Sequence, residues 1–144
     1  MTSVQSRVAA LKALEALIRR AVGEDIFIRN PESPVEASRE GIVVMSDGDP
    51  GEAEYILSPL AFCWEHQVAI EIAASGPDRV AVTEGLLARL EPELAADRRL
   101  GGAVDDARLM SAPEIHDYPI DDAETERSIT VAVQLSPSVR RAEP

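Results

Sequence analysis

From Phe62 onward the even positions are Phe62, Trp64, His66, Val68, Ile70 and Ile72, while Glu65, Gln67 and Glu71 fall between them. Side chains on a strand alternate between two faces, so this spacing predicts one long strand, Phe62 to Ile72, with a buried face and a wet one. A sheet that is wet on one side points to antiparallel pairing, because parallel sheets are covered on both sides. Ile129, Val131, Val133 and Leu135 alternate with Thr130, Ala132 and Gln134 in the same way, and Pro137 stops that run.

Cover for the buried face comes from two helices. Val4, Val8, Leu11, Leu14, Ile18 and Val22 recur every three or four residues, which predicts an amphipathic helix over 3–22, with Thr2 or Ser3 as N-cap and Gly23 as an αL stop. A second stripe, Val82, Leu86, Leu87, Leu90 and Leu94, follows Ser75-Gly76-Pro77-Asp78, where Pro77 suits a first helical position. Pro92 interrupts that stripe, and a proline in a helix interior costs about 3 kcal/mol, so a bend near Glu91 or a split is expected. The stretch LAADRRLGGAVDD then ends the helix, with Leu100 folded back and Gly101 or Gly102 supplying the positive φ of a sharp exit.

Between these elements lie a short strand over Ile26 to Ile28, a Val-rich strand over Gly41 to Met45, and extended residues Tyr55 to Leu57. Residues 103–115 also look extended, with Val104, Leu109, Met110 and Ile115 as inward or pairing positions. Residues 31–40, 46–53 and 117–127 read as loops and 137–144 as a C-terminal tail. Few strand–helix–strand alternations occur, so the chain is expected to be one α+β domain over 1–144, a mostly antiparallel sheet with both helices on one face.

Composition narrows the function. Twenty-six acidic against fourteen basic residues give a net charge of -12, which repels phosphate backbones and anionic membrane surfaces. No apolar run approaches the roughly 20 residues that span a bilayer, and no signal-peptide pattern opens the chain, so a soluble protein is expected. Cys63 is the sole cysteine, which precludes an intramolecular disulfide and fits a reducing compartment.

No constellation demands catalysis. Asp47-Gly48-Asp49-Pro50-Gly51-Glu52 is rich in oxygen but lacks the helices and final bidentate acid of a calcium loop, so it reads as a hairpin turn. His66 lies on an apolar strand face and reads as a core or interface histidine. His116 adjoins Asp117 without a recognisable third partner, and neither has a second histidine at metal-ligand spacing. Cys63 sits beside Trp64 and Glu65, surroundings that raise a thiol pKa. Asp121, Asp122, Glu124 and Glu126 form an acidic run that reads first as a solvated loop and second as a binding surface. Catalytic, cofactor and metal residues are therefore all assigned as none.

In its order of elements the chain resembles the tail terminator, or tail completion, proteins of long-tailed bacteriophages and phage-like particles. Three features carry the resemblance: the helix from Val4 to Val22, the strand Phe62 to Ile72 leading into a Leu-rich helix, and the exit from Leu94 through Asp97-Arg98-Arg99-Leu100-Gly101-Gly102 into strands that close with Ile129 to Leu135. The resemblance spans nearly the whole chain. Pro92 and the loop Pro31 to Glu40 depart from it, and a neighbouring head-to-tail connector or neck protein is the alternative within the same class.

The resemblance implies a virion protein assembled in the host cytoplasm, with no enzymatic activity. Its subunits would form a hexameric ring on the tail tube, stop tube growth and meet a head-completion protein. DNA would pass through such a ring without specific binding. On that reading Asp47, Asp49 and Glu52, together with Asp121, Asp122, Glu124 and Glu126, are the expected interface or lumen residues, where negative charge repels the passing DNA. A rival from another class is a small enzyme or ligand-binding domain in which His66, His116 and nearby acids form a cleft.

Overall fold

The computed structural model describes residues 3–33, 35–48, 54–57, 60–63, 66–104, 106–110, 114–118, 125–136 and 140–141. Helix α1, Ser3–Val22, leads through a 3₁₀ turn at Glu24–Ile26 to strands β1, Phe27–Arg29, and β2, Ile42–Ser46. Then come β3, Glu54–Leu57, β4, Leu60–Cys63, β5, His66–Ser75, and helix α2, Arg79–Ala96. A second 3₁₀ turn, Leu100–Gly102, precedes β6, Asp106–Leu109, β7, Glu114–Tyr118, β8, Glu126–Ser136, and β9, Arg140–Arg141.

Six strands form the main sheet in the order β1-β2-β5-β8-β6, with β7 also on β8. Ladder β5–β8 is its spine, running from His66↔Leu135 to Ser75↔Glu126. Strands β6 and β7 share the far side of β8, one pairing near Leu135 and the other near Ile129. Every pair is antiparallel except β1–β2, which is parallel. The α+β class and the mostly antiparallel sheet expected from the alternation are what the chain forms.

The buried face is the one the sequence marks. Val68, Ile70 and Ile72 on β5 and Ile129, Val133 and Leu135 on β8 are fully buried, and they share one cluster with Leu14, Leu17 and Ile18 of α1 and Leu86, Leu87, Leu90 and Leu94 of α2. Each fully buried Leu or Ile contributes about 2 kcal/mol by leaving water. Both helices therefore lie on this face. Across the sheet, Gln67, Ala69 and Glu71 are exposed, while Ile42, Val44 and Ala73 at one end are covered by Val35 and Ala37 of the loop before β2.

Several expectations are corrected. The alternation from Phe62 to Ile72 is two strands, because β4 pairs with β3 and β9 in a separate three-stranded sheet. Continuing the β5–β8 register would set Phe62 against position 139, yet its partner is Arg140, so one extra residue enters on the β8–β9 side. The ladder breaks where the register slips. Among the described residues β2 pairs with β1 and β5 and β3 with β4, so the stretch between β2 and β3 does not join paired strands; Asp49 to Glu52 lie outside the described residues.

Pro92 does not split α2, which runs unbroken to Ala96 with the proline on its exposed side. In the stripe assigned to α1, among the positions whose burial is described, Val8 is misassigned, being 44% exposed. Gly23 has positive φ, 99°, but with ψ 149° it lies outside αL and leads into the 3₁₀ turn Glu24–Ile26. Asp117 and Glu126 lie within β7 and β8, not in a loop, and Ile115 is 47% exposed although it pairs with Ile129. The exit from α2 is as expected, with Leu100 buried and Gly101 and Gly102 at φ 69° and 97°. Leu100 itself takes φ 49°, and the Asp97 carboxylate accepts the Gly101 N–H at 2.9 Å.

Candidate functional site

Two clusters of charged side chains sit at opposite ends of the main sheet. Arg29 ends β1 in register with Met45, two residues after Phe27, so it points to the helix side and reaches beneath α1. Its Nε and Nη2 donate to the two Asp47 oxygens at 2.9 and 2.7 Å, and its Nη1 donates to Glu15 at 2.9 Å. Arg19 donates to the other Glu15 oxygen at 2.9 Å and lies 5.1 Å over the Phe27 ring. The Asn30 amide oxygen accepts the Asp47 N–H, and the His66 Nε2–H donates to the Asp47 backbone carbonyl.

The forked bond to Arg29 holds the Asp47 carboxyl below the usual carboxylate range, helped by Asn30 and opposed by burial. Arg29 is in turn shifted up, first by that same bond. Both groups stay charged, and their bonding capacity is largely taken up inside the cluster. Chemically this is a latch tying α1, β1 and the end of β2 together, not an acid or base awaiting a substrate.

At the other end, Arg127 of β8 is largely buried. It donates to Thr83 Oγ1 at 3.1 Å and Glu84 at 2.9 Å on α2, and its Nη1 lies 3.6 Å from Asp117 on β7. Arg79 reaches the other Asp117 oxygen at 3.3 Å. Thr83 donates to the Arg79 carbonyl at 2.8 Å, so the first turn of α2 is bound to the sheet through β7 and β8. On the reverse face the Glu126 carboxyl is pushed up, first by burial and then by Glu71 and Glu36.

Of the residues singled out in sequence, Asp47 is the centre of the first cluster and Glu126 faces the helix-free side of β8. Asp49, Glu52, Asp121, Asp122 and Glu124 lie outside the described residues. Sequence reading missed Arg29, Glu15 and Arg127 as organising residues. The partners of Arg29 are 14 and 18 residues away and those of Arg127 on α2 more than 40, so no local spacing announces them. The one available signal was Arg29 two residues after Phe27, a charge on an inward strand position.

The histidines do not form a cleft. His66 pairs with Leu135 and His116 with Ser128, partners seven residues and so about 23 Å apart along β8, and the histidines flank that strand on opposite sides. His66 is buried and engaged with Asp47, whereas His116 is exposed near Glu114. A groove of about 450 Å³ between the end of α2 and β6 is lined by Leu94, Ala95, Leu109 and by Glu91, Arg98 and Arg108, with Arg98 bonded to Asp106 at 2.8 Å. No group of three metal-ligating side chains occurs among the described residues.

Fold and site together define an α+β protein in which the charged side chains of the two described clusters join one element to another. No family model matches the chain, and no curated protein sequence is similar to it. Among solved structures it is similar to a chain in the virion of a native gene transfer agent particle, at 12% identity over 90% of this chain and 93% of that one, with a TM-score of 0.38. A likeness at that level fixes neither role nor assembly.

Proposed function

We propose that this chain is a non-enzymatic structural subunit of a phage-like particle, a tail terminator that closes into a hexameric ring on the tail tube. One observation carries the reading. The described charged clusters bind α1, α2 and the sheet to each other, while the middle of the helix-free sheet face, with Gln67, Ala69 and Glu71, is left exposed. The order of elements that resembles tail terminators supports it as well.

Asp47, Asp49, Glu52, Asp121, Asp122 and Glu124 then face a lumen and repel passing DNA, with Glu126 at a subunit contact. Asp47 contributes least to that field, since Arg29 neutralises it. Light scattering of the purified chain and co-sedimentation with tail tubes test the proposal. The expected result is a mass near six subunits, or capped tubes that no longer lengthen. A monomer at high concentration that also ignores tubes overturns it, and binding to head-completion protein without capping tubes assigns the chain to the neck instead.

A further inference from the structure

The outer stripe of α1 and the helix-free side of the sheet carry opposite charge. On α1 the positions turned away from the core are Ala9, Lys12, Ala16 and Arg20, with Val8 beside them, all exposed. Glu15 is the sole acid of this helix, and it is turned inward to Arg29 and Arg19. The charge on the outward stripe is therefore purely basic, in a chain of net charge -12.

The helix-free side of the sheet is the reverse. Small side chains, Ala69, Thr130 and Ala132, keep its middle flat, and Gln67 and Glu71 stand exposed on β5. Glu126 of β8, Glu114 and His116 of β7, Arg108 of β6 and Glu36 of the loop before β2 frame it, so acids predominate. Like charges crowded on one surface are relieved by a basic partner.

We infer that the acidic sheet face of one copy docks on the basic outer stripe of α1 of a second copy. This rests on the assembly half of the function proposed above. The two surfaces lie on opposite sides of one subunit, so the contact is head-to-tail, the kind that generates rings or filaments and not closed dimers. Lys12 and Arg20 meet Glu71 and its neighbours, and Val8 with the alanines of the stripe packs on Ala69 and Ala132.

A charge swap tests it. Lys12→Glu and Glu71→Lys both change exposed side chains, so Lys12→Glu is expected to melt like the native chain and Glu71→Lys, which relieves Glu126, no lower. Each alone sets like charges together and weakens self-association by about tenfold or more. Mixed in equal amounts they restore it, because an alternating assembly pairs the two substituted side chains, their charges exchanged, at one contact and native Lys12 with native Glu71 at the next. The milder pair Lys12→Ala and Glu71→Gln gives smaller losses, and added salt weakens native association in step. A native chain that stays monomeric in sedimentation and also ignores tail tubes overturns the inference and the ring together. Single variants that assemble like native protein, or a mixture that fails to recover, overturn the docking mode and leave a ring built by other contacts.

Discussion

The Arg29 guanidinium grips the Asp47 carboxylate with two parallel bonds of 2.9 and 2.7 Å, joining the end of β1 to the residue just past β2. Glu15 on the opposite side of Arg29 extends that grip to α1. Removing the arginine leaves the half-buried Asp47 carboxylate without its forked donor and Glu15 with Arg19 alone. Arg29→Ala should lower stability by about 2 kcal/mol. Urea unfolding of the single and double variants with Asp47→Ala measures the coupling, and additive losses would mean the pair is not a unit.

Asp47 and Glu126 should tilt stability with pH in opposite directions. The Asp47 value is lowered in the fold, so its contribution is complete above the ordinary carboxylate value and disappears as pH falls through the depressed one. The Glu126 value is raised, so folding carries a penalty above the raised value that is relieved as pH falls through it. Glu126→Gln should therefore raise the melting temperature at neutral pH and make little difference in acid. Asp47→Asn should lower it at neutral pH and also make little difference in acid. Melting curves from acid to neutral pH read both signs.

Gly48 has φ 68°, and a Cβ placed there would stand 2.7 Å from the Gln67 backbone oxygen. Gly48→Ala combines a disfavoured backbone with a clash against main chain that cannot swing away, at a cost of about 1–3 kcal/mol. Chemical denaturation measures it. Gly101→Ala, with open space around the Cβ, should cost less.

Pro92 sits in an unbroken α2, where it lacks an N–H for the Ala88 carbonyl one turn back. Pro92→Ala restores that bond and should stabilise the protein by about 1 kcal/mol, net of the freedom gained by the unfolded chain. Thermal melts showing a loss would mean that the surroundings of the helix are built around the proline.

Ile70→Asp and Leu87→Asp each place a charge in the shared core of sheet and helices, with no cation to meet it. Neither variant should fold, as judged by circular dichroism and solubility. Ile70→Val, a loss of one methylene, should cost about 1 kcal/mol and fold normally.

What was legible in the sequence was periodic: the two helices, the buried faces of β5 and β8, and the Leu100–Gly101 exit. Hydrophobic burial repeats with the backbone period, so it is written locally, and Ile70, Ile129 and Leu90 are buried as their spacing requires. Tertiary structure alone decided which strands pair, why the alternation starting at Phe62 breaks into two sheets, and that Arg29, Asp47 and Glu15 meet. Register and ion pairing depend on partners many residues away, whose approach is set by the whole packed chain and leaves no period behind. The sequence by itself also sets net charge, but its division between a basic outer stripe on α1 and an acidic sheet face exists only once α1 and β5 are folded against each other.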